Sequence, residues 1–212
     1  MAKAFINGIN IYYEVAGAGP PLVFAHEYAG SSESWKEQVE FFSQWYSVVT
    51  YNARGYPPSD VPDDVNSYRQ EIAIEDLRGL LNHLQIDQAY LCGLSMGGNV
   101  VLNFSLTYPS MVRAMVVAGT GTGSTDPDGF RIQLDKMAQL LESEGMKGLS
   151  YYTKGPTRVQ LQHKMPTQWE EFDRLFSEHD ALGSALILRG VLWNRPTIHE
   201  LKPKLRASTV PT

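Results

Sequence analysis

The sequence is poor in cysteine, in excess basic charge and in long apolar runs. Its single cysteine, Cys92, rules out an internal disulfide framework and favours a reducing compartment. The net charge is −5 and the lysines and arginines are scattered, which argues against binding to nucleic acid or an anionic membrane. No stretch approaches membrane-spanning length, and residues 1–10 contain no apolar signal core. We therefore expect a cytoplasmic protein with neither nucleic acid nor membrane as partner.

Apolar runs alternate with helical patterns over the first 123 residues. A hydrophobic content of 43% in 212 residues suits one domain of ordinary size with a real core. A hairpin over 3–15 turns at Asn7-Gly8, and continuous apolar runs typical of buried strands follow at 20–27, 46–55, 88–95 and 113–121. Helical patterns lie between the runs, at 34–45, 68–84 and 96–109. This alternation predicts an α/β fold with a mostly parallel sheet flanked by helices.

Two of these helices carry pairs typical of capping boxes. Ser34 with Glu37 predicts the start of the first helix, and Ser67 with Gln70 predicts the start of the second. Both predictions concern helix boundaries only.

The pattern changes after Gly123. Three helical patterns, at 129–145, 167–180 and 180–193, follow each other without an intervening strand. We therefore predict three parts: a core over 1–123, a helical cap insertion over 124–196, and a return to the core over 197–212.

The segment "CGLSMGG" places Ser95 between Gly93 and Gly97, directly after an apolar run and before a helical pattern. A serine in a sharp strand-to-helix turn needs small neighbours, which is the Gly-x-Ser-x-Gly form of a nucleophile elbow. A glycine-rich turn of a nucleotide-binding fold is the structural alternative, but the spacing of its glycine motifs is missing. We therefore interpret Ser95 as a candidate nucleophile.

In this context the chain resembles the α/β-hydrolase superfamily, especially its small cap-bearing esterases and lactonases. The resemblance runs along the whole chain, through "FAHEYAGSSESW", "YNARGYPPSD", "GLSMGG", "YPSMVRAMVVAG" and "LKPKLRASTVPT". It implies the α/β-hydrolase fold, no cofactor and acyl transfer through a serine ester. The histidine spacings and Cys92 match no metal site.

The resemblance also implies roles for single positions. Ser95 would be the nucleophile, and the backbone N–H groups of Tyr28 and Met96 would form the oxyanion hole. His26 and Glu27 would support the oxyanion loop, with His26 organising the loop and not acting as the base. Glu27 stands where the family usually has glycine, and its carboxylate could oppose the developing oxyanion unless it points to solvent.

Other positions match or depart from the family turn "YNARGYPPSD". Arg54 matches an arginine that usually braces loops. Asn52 replaces the usual aspartate and Pro57 a usual glycine, which a turn can accommodate.

The triad acid and histidine are not identifiable in the chain. In the family they follow the cap, so the resemblance implies that they and the last core strands lie beyond Thr212, leaving the chain incomplete. His83 lies on the exposed side of a helix, and His163, His179 and His199 are interpreted as solvated or loosely packed. Thr120 occupies a position where some relatives place the acid, and Asp126 is interpreted as a hinge residue or helix cap.

We therefore expect a serine hydrolase of small apolar carboxylic esters or lactones, acting through a Ser95 acyl-enzyme. A serine disfavours epoxide-hydrolase chemistry, which uses aspartate in this superfamily. The alternative is an inactive binding protein, or a fragment that needs another chain for its triad. A homo-oligomer or a complementing chain is therefore a possible partner.

Overall fold

The computed structural model describes residues 2–156 and 158–212. Its strands are β1 (Ala2–Ile6), β2 (Ile9–Ala16), β3 (Pro21–Ala25), β4 (Ser47–Tyr51), β5 (Ala89–Leu94) and β6 (Val112–Ala118). They form one mixed sheet in the order β1-β2-β4-β3-β5-β6. β1 and β2 form the antiparallel hairpin, whereas β4, β3, β5 and β6 run parallel. The predicted α/β fold with its largely parallel sheet is confirmed.

Nine α-helices are described in these residues. They are α1 (Lys36–Phe42), α2 (Gln70–His83), α3 (Met96–Thr107), α4 (Pro127–Glu144), α5 (Ser150–Lys154), α6 (Val159–Lys164), α7 (Pro166–Ser177), α8 (Ala181–Ile187) and α9 (Ile198–Ala207). A π-helical turn over Leu188–Leu192 extends α8. None of the helices in the described ranges is both long and apolar enough to cross a bilayer.

Both predicted capping boxes are wrong. The capping box that forms pairs Ser31 with Ser34 ahead of a short 3₁₀ turn, and α1 begins only at Lys36. α2 begins after Arg69, whose side chain makes no capping hydrogen bond. The serine at 34 is recruited into the loop that follows β3, so tertiary packing overrides the local helix signal.

The sheet separates two apolar layers. On one face, residues of α2, α3 and α9 such as Leu77, Phe104 and Leu201 pack with β-strand residues in the main core. On the other face, Trp35 and the partly buried Phe42 cover Leu22 and Phe24. The elbow between β5 and α3 thus lies at the carboxyl edge of a sheet supported on both sides.

Helices α4 to α8 lie between β6 and α9 and form a second apolar cluster. This cluster includes Leu141, Leu149 and Leu188, and it packs on Tyr28, Tyr56 and Met96 of the core. A Cβ atom at Gly190 would lie 1.9 Å from the Tyr68 carbonyl oxygen. The π-helical turn therefore contacts the core backbone directly, which fixes these helices over the elbow.

Residues 201–212, expected as an approach to a core strand, consist of the end of α9 followed by extended chain. The Met115 N–H of β6 donates a hydrogen bond to the Pro211 carbonyl oxygen at 2.9 Å. Pro211 thus lies beside β6, on the side away from β5.

Candidate active site

Ser95 has backbone angles of φ 52° and ψ −106°, in the positive-φ region that non-glycine residues rarely occupy. The glycines around it permit this turn. A Cβ at Gly93 would lie 2.3 Å from the Gly97 carbonyl oxygen, and one at Gly97 would lie 2.1 Å from the Ala25 carbonyl oxygen. β5, α3 and the end of β3 therefore meet backbone to backbone at this point.

The Ser95 backbone is held on both sides. Its N–H donates to the Ala118 carbonyl oxygen at 2.8 Å, and its carbonyl oxygen accepts from the Asn99 N–H at 3.1 Å and from the Thr120 hydroxyl at 3.2 Å. Its side chain is partly exposed, and its Oγ has no hydrogen-bond partner within the described ranges. Strain at a fixed, accessible hydroxyl is typical of functional sites.

Two backbone N–H groups, one at the elbow and one in the loop after β3, have no acceptor among the described residues. The Gly97 N–H, one residue further on, donates to the His26 carbonyl oxygen at 3.1 Å. In contrast, the N–H groups of Met96 and Tyr28 donate to no acceptor in the parts of the chain that the structure describes. The Met96 N–H is at the N-terminus of the 12-residue helix α3, where the helix dipole favours negative charge.

His26 bridges the loop after β3 to the loop after β4. Its Nδ1–H donates to the Glu27 carbonyl oxygen at 2.7 Å, and its Nε2 accepts from the Ala53 N–H at 3.0 Å. Both ring nitrogens are therefore occupied in the neutral ring. Burial lowers the pKa of His26 to about 4.

Glu27 is buried, not solvent-facing. Only 9% of the residue is exposed; its Oε1 accepts from the Ser34 hydroxyl at 3.5 Å, and its Oε2 has no partner. Burial raises the pKa of the Glu27 carboxyl, while the positive charge of Arg158 opposes that shift. From the sequence, we expect the Glu27 carboxylate to oppose the oxyanion unless it points to solvent. The carboxyl is buried instead, and burial disfavours its charged form.

Aromatic side chains of the core and of helices α5 and α7 enclose the loop that follows β3. The Tyr56 hydroxyl donates to the Tyr28 carbonyl oxygen, and the Tyr152 ring meets the Tyr28 ring edge to face at 6.2 Å. Phe176 stacks on Tyr152 at 5.4 Å. Sequence reasoning did not single out Tyr56 or Tyr152, because the pairing of Tyr152 with the loop depends on how helices α4 to α8 fold against the core.

His179 does not behave as a solvated histidine. Its ring lies 5.2 Å from the Tyr56 ring, its Nε2 is buried without a partner, and burial lowers its pKa. The interpretation of His179 as solvated or loosely packed is therefore wrong. Nevertheless, it makes no hydrogen bond to Ser95 within the described ranges.

The other candidate side chains are elsewhere. His83, His163 and His199 are exposed. Asp126 caps α4 by accepting from the Gly129 N–H at 3.0 Å, as interpreted from the sequence. In residues 2–156 and 158–212, histidine, cysteine, aspartate and glutamate side chains form no cluster suited to a metal ion.

A cavity of about 30 Å³ lies beside the start of α3, next to α2 and the helices that cover it. Its lining includes His26 and Met96 of the core and Ile187 and Val191 of α8 and the π-helical turn, but not Ser95. This space is small and largely apolar.

The profile of the alpha/beta hydrolase fold matches residues 20–197. The chain belongs to this family. Among curated relatives, it is 31% identical over 111 residues to the uncharacterized hydrolase YraK of Bacillus subtilis, covering 52% of this chain and 41% of that protein. It is 31% identical over 127 residues to 3-oxoadipate enol-lactonase 2 of Acinetobacter baylyi, and the match covers 60% of this chain and 45% of that protein. It is 32% identical over 114 residues to epoxide hydrolase 3 of Mus musculus, and this match covers 53% of this chain and 31% of that protein.

The chain thus matches less than half of the length of these curated relatives. Solved alpha/beta hydrolases align over almost all of it. An enol-lactonase from Burkholderia xenovorans superimposes with a TM-score of 0.81 at 21% identity, covering 99% of this chain and 78% of that one. A malate-bound esterase from Thermogutta terrifontis superimposes with a TM-score of 0.87 at 23% identity, covering 100% of this chain and 77% of that one. At these identities the superpositions establish the fold.

Proposed function

We propose that this alpha/beta hydrolase is a serine hydrolase of small carboxylic esters or lactones that acts through a Ser95 acyl-enzyme. The observation that carries the proposal is the strained Ser95 beside two N–H groups, of Met96 and Tyr28, that lack acceptors in the described residues. A hydroxyl and two convergent donors are the parts that acyl transfer needs in one place.

In this mechanism the Ser95 Oγ attacks the ester carbonyl carbon while a general base takes its proton. The carbonyl oxygen becomes an oxyanion, which the Met96 and Tyr28 N–H groups stabilise, each by about 3 kcal/mol. The alcohol then leaves, and water hydrolyses the acyl-serine. His26 and Glu27 support the loop that presents the Tyr28 N–H, because His26 ties that loop to Ala53.

The relatives include epoxide hydrolases as well as enol-lactonases and esterases, and the residue at the nucleophile position supports our choice between them. The elbow of this chain carries a serine, whereas an epoxide hydrolase of this superfamily would need an aspartate there.

A fluorophosphonate probe tests the proposal directly, since it reacts with activated serines. We expect covalent labelling of Ser95, located by mass spectrometry of the digested protein. Ser95→Ala should abolish labelling and ester hydrolysis, whereas Ser110→Ala, a change at an exposed serine, should preserve both. Labelling that persists in Ser95→Ala would refute the assignment.

A second candidate is a non-catalytic binding protein, or a chain that takes its base from another polypeptide. It is favoured by the observation that no imidazole of the described residues contacts the Ser95 hydroxyl. The two candidates differ in the probe reaction of the purified chain: rapid labelling of Ser95 contradicts the non-catalytic form. Labelling that appears only in a mixed oligomer, separated by size-exclusion chromatography, would favour the complementing chain.

A further inference from the structure

Among the described residues, Arg158 is a cation without a counter-ion whose charge acts on Glu27 of the loop after β3. It lies just before α6, is partly buried, and donates from Nη2 to the Tyr152 hydroxyl at 3.4 Å. Within residues 2–156 and 158–212, no carboxylate oxygen lies within 4 Å of its guanidinium group. An arginine held in place but left unpaired has free N–H donors for an anion.

Two aromatic rings fix the guanidinium. Its central carbon lies 5.4 Å from the centroid of the Tyr152 ring and 5.2 Å from that of the Phe172 ring. Cation–π contacts of this kind favour arginine and pre-organise its planar fork. Rigid placement reduces the entropy lost when a ligand binds.

The same aromatic group connects Arg158 to the proposed catalytic centre. The Tyr152 ring packs against Tyr28, whose N–H is a proposed oxyanion donor. Arg158 is thus separated from the oxyanion loop by one ring. A substrate whose ester carbonyl lies at Ser95 could extend along these rings, and its far end would meet the guanidinium.

The positive charge of Arg158 lowers the pKa of the Glu27 carboxyl, yet Glu27 and Arg158 do not form an ion pair. Its carboxyl lies over Gly30 and Ser34, where a Cβ added at Gly30 would be 2.5 Å from Glu27 Oε2. Burial raises the pKa of this carboxyl, and among the described residues neither of its oxygens lies within 4 Å of the guanidinium group, so Glu27 does not occupy the N–H donors of Arg158.

We propose that Arg158 binds a carboxylate carried by the substrate, so that the site selects small esters or lactones that bear a second, anionic carboxylate group. The planar guanidinium matches a carboxylate with two parallel hydrogen bonds, and the aromatic rings pack the carbon chain between the two groups. This inference rests on the proposed function, which places the ester at Ser95, and narrows its substrate class.

The test compares two ligands of equal length, monomethyl adipate, which carries a carboxylate, and dimethyl adipate, which is neutral. Calorimetry in a Ser95→Ala background measures their binding without hydrolysis. We expect monomethyl adipate to bind more tightly, and Arg158→Gln to weaken it by about tenfold or more while leaving dimethyl adipate unchanged. Lys154→Gln is the matched control, since it removes one positive charge from an exposed residue nearby.

Three outcomes would overturn the inference. They are equal affinity for the two ligands, equal weakening of both by Arg158→Gln, or the same loss in Lys154→Gln. Circular dichroism reports whether Arg158→Gln folds. If it does not fold, Arg158→Lys is tested, which keeps the positive charge but loses the two parallel N–H donors of the guanidinium group. Arg158→Lys should weaken binding of the anionic ligand alone, by several-fold. An unchanged affinity in Arg158→Lys would then count against the inference.

A further measurement separates this inference from the proposed function. Hydrolysis of dimethyl adipate by the unaltered chain reports on Ser95 without depending on Arg158. Arg158-dependent binding without hydrolysis would refute the catalytic proposal and keep the binding site.

Discussion

Single residues at the elbow are constrained by the backbone atoms around them. Gly97→Ala would place a methyl group 2.1 Å from the Ala25 carbonyl oxygen, and neither backbone can move without disturbing the sheet. We expect the free energy of unfolding to fall by at least about 2 kcal/mol, measured by urea denaturation. Gly155→Ala is the control, because its φ is −75° and its nearest neighbour would be 3.4 Å away. Equal effects of the two changes would contradict this account.

The pH dependence of stability has a source in His26. Its folded pKa, about 4, is below the pKa of 6.5 of an unperturbed histidine, which we assign to the unfolded chain, so the unfolded state binds more protons between these values. Stability is therefore full above pH 6.5 and is lost as the pH falls towards 4, by about 3 kcal/mol in total. Urea titrations at pH 7 and pH 4.5 should show this loss.

Variants separate His26 from the other buried groups. His26→Gln should reduce the dependence between pH 4.5 and 7, whereas exposed His83→Gln should leave it unchanged. His179, whose pKa is also lowered, adds a loss of the same sign. Glu27, whose pKa is raised, acts in the opposite direction because its stabilisation is lost as the pH rises. An unchanged pH dependence in His26→Gln would contradict the assignment.

At the scale of elements, one buried ion pair joins three parts of the core. Arg54, in the loop after β4, donates from Nε and Nη2 to the Asp76 carboxylate of α2 at 2.9 Å, and also to the Asn7 carbonyl oxygen in the β1–β2 turn. Both side chains are less than 10% exposed. The sequence predicted that Arg54 braces loops, and the structure confirms it and adds its partners.

Breaking this pair should be costly. Asp76→Asn leaves the Arg54 cation buried without its counter-ion, so we expect a loss of about 3–5 kcal/mol in the free energy of unfolding. Arg174→Gln breaks the exposed pairs with Glu171 and Glu178, which water screens, and should reduce the free energy of unfolding far less. Thermal and urea unfolding of the two variants measure the difference. A similar, small cost in both would show that the Arg54–Asp76 pair is not stabilising.

Element boundaries were harder to predict than element types. The buried strands and α3 follow from continuous apolar runs, since only a sheet covered on both sides accommodates them. The short helices α5 and α6 were missed. Their few buried contacts, such as that of Thr153, arise from packing against α7 and the core, so no helix-length apolar pattern marks them.

At the scale of the molecule, the second face of the sheet has an apolar groove of about 220 Å³. Leu22, Phe24, Cys92, Met115 and Val116 line it, and Val116 is 58% exposed. An exposed apolar surface of this kind favours dye binding and association. We expect the native chain to bind the hydrophobic dye anilinonaphthalene sulfonate at this groove.

Val116→Lys should lower the dye fluorescence and change the free energy of unfolding by less than about 0.5 kcal/mol, since the position is exposed. Ile132→Lys makes the same change at a residue of 57% exposure on α4, which does not line the groove. Its dye fluorescence should stay at the parental value. If both variants lower the fluorescence equally, the groove is not the site of binding.

The sequence by itself determined the α/β class, the position of the elbow and the candidate nucleophile. These depend on local chemistry: apolar runs for buried strands, and glycines where three backbones meet around Ser95. Only the tertiary structure revealed that Glu27 is buried, that His179 packs on Tyr56, and that Arg158 lies unpaired over Tyr152 and Phe172. The packing of His179 on Tyr56 and the charge of Arg158 near Glu27 join residues more than 100 positions apart, and the two rings around Arg158 come from two different helices. No local sequence pattern encodes such contacts.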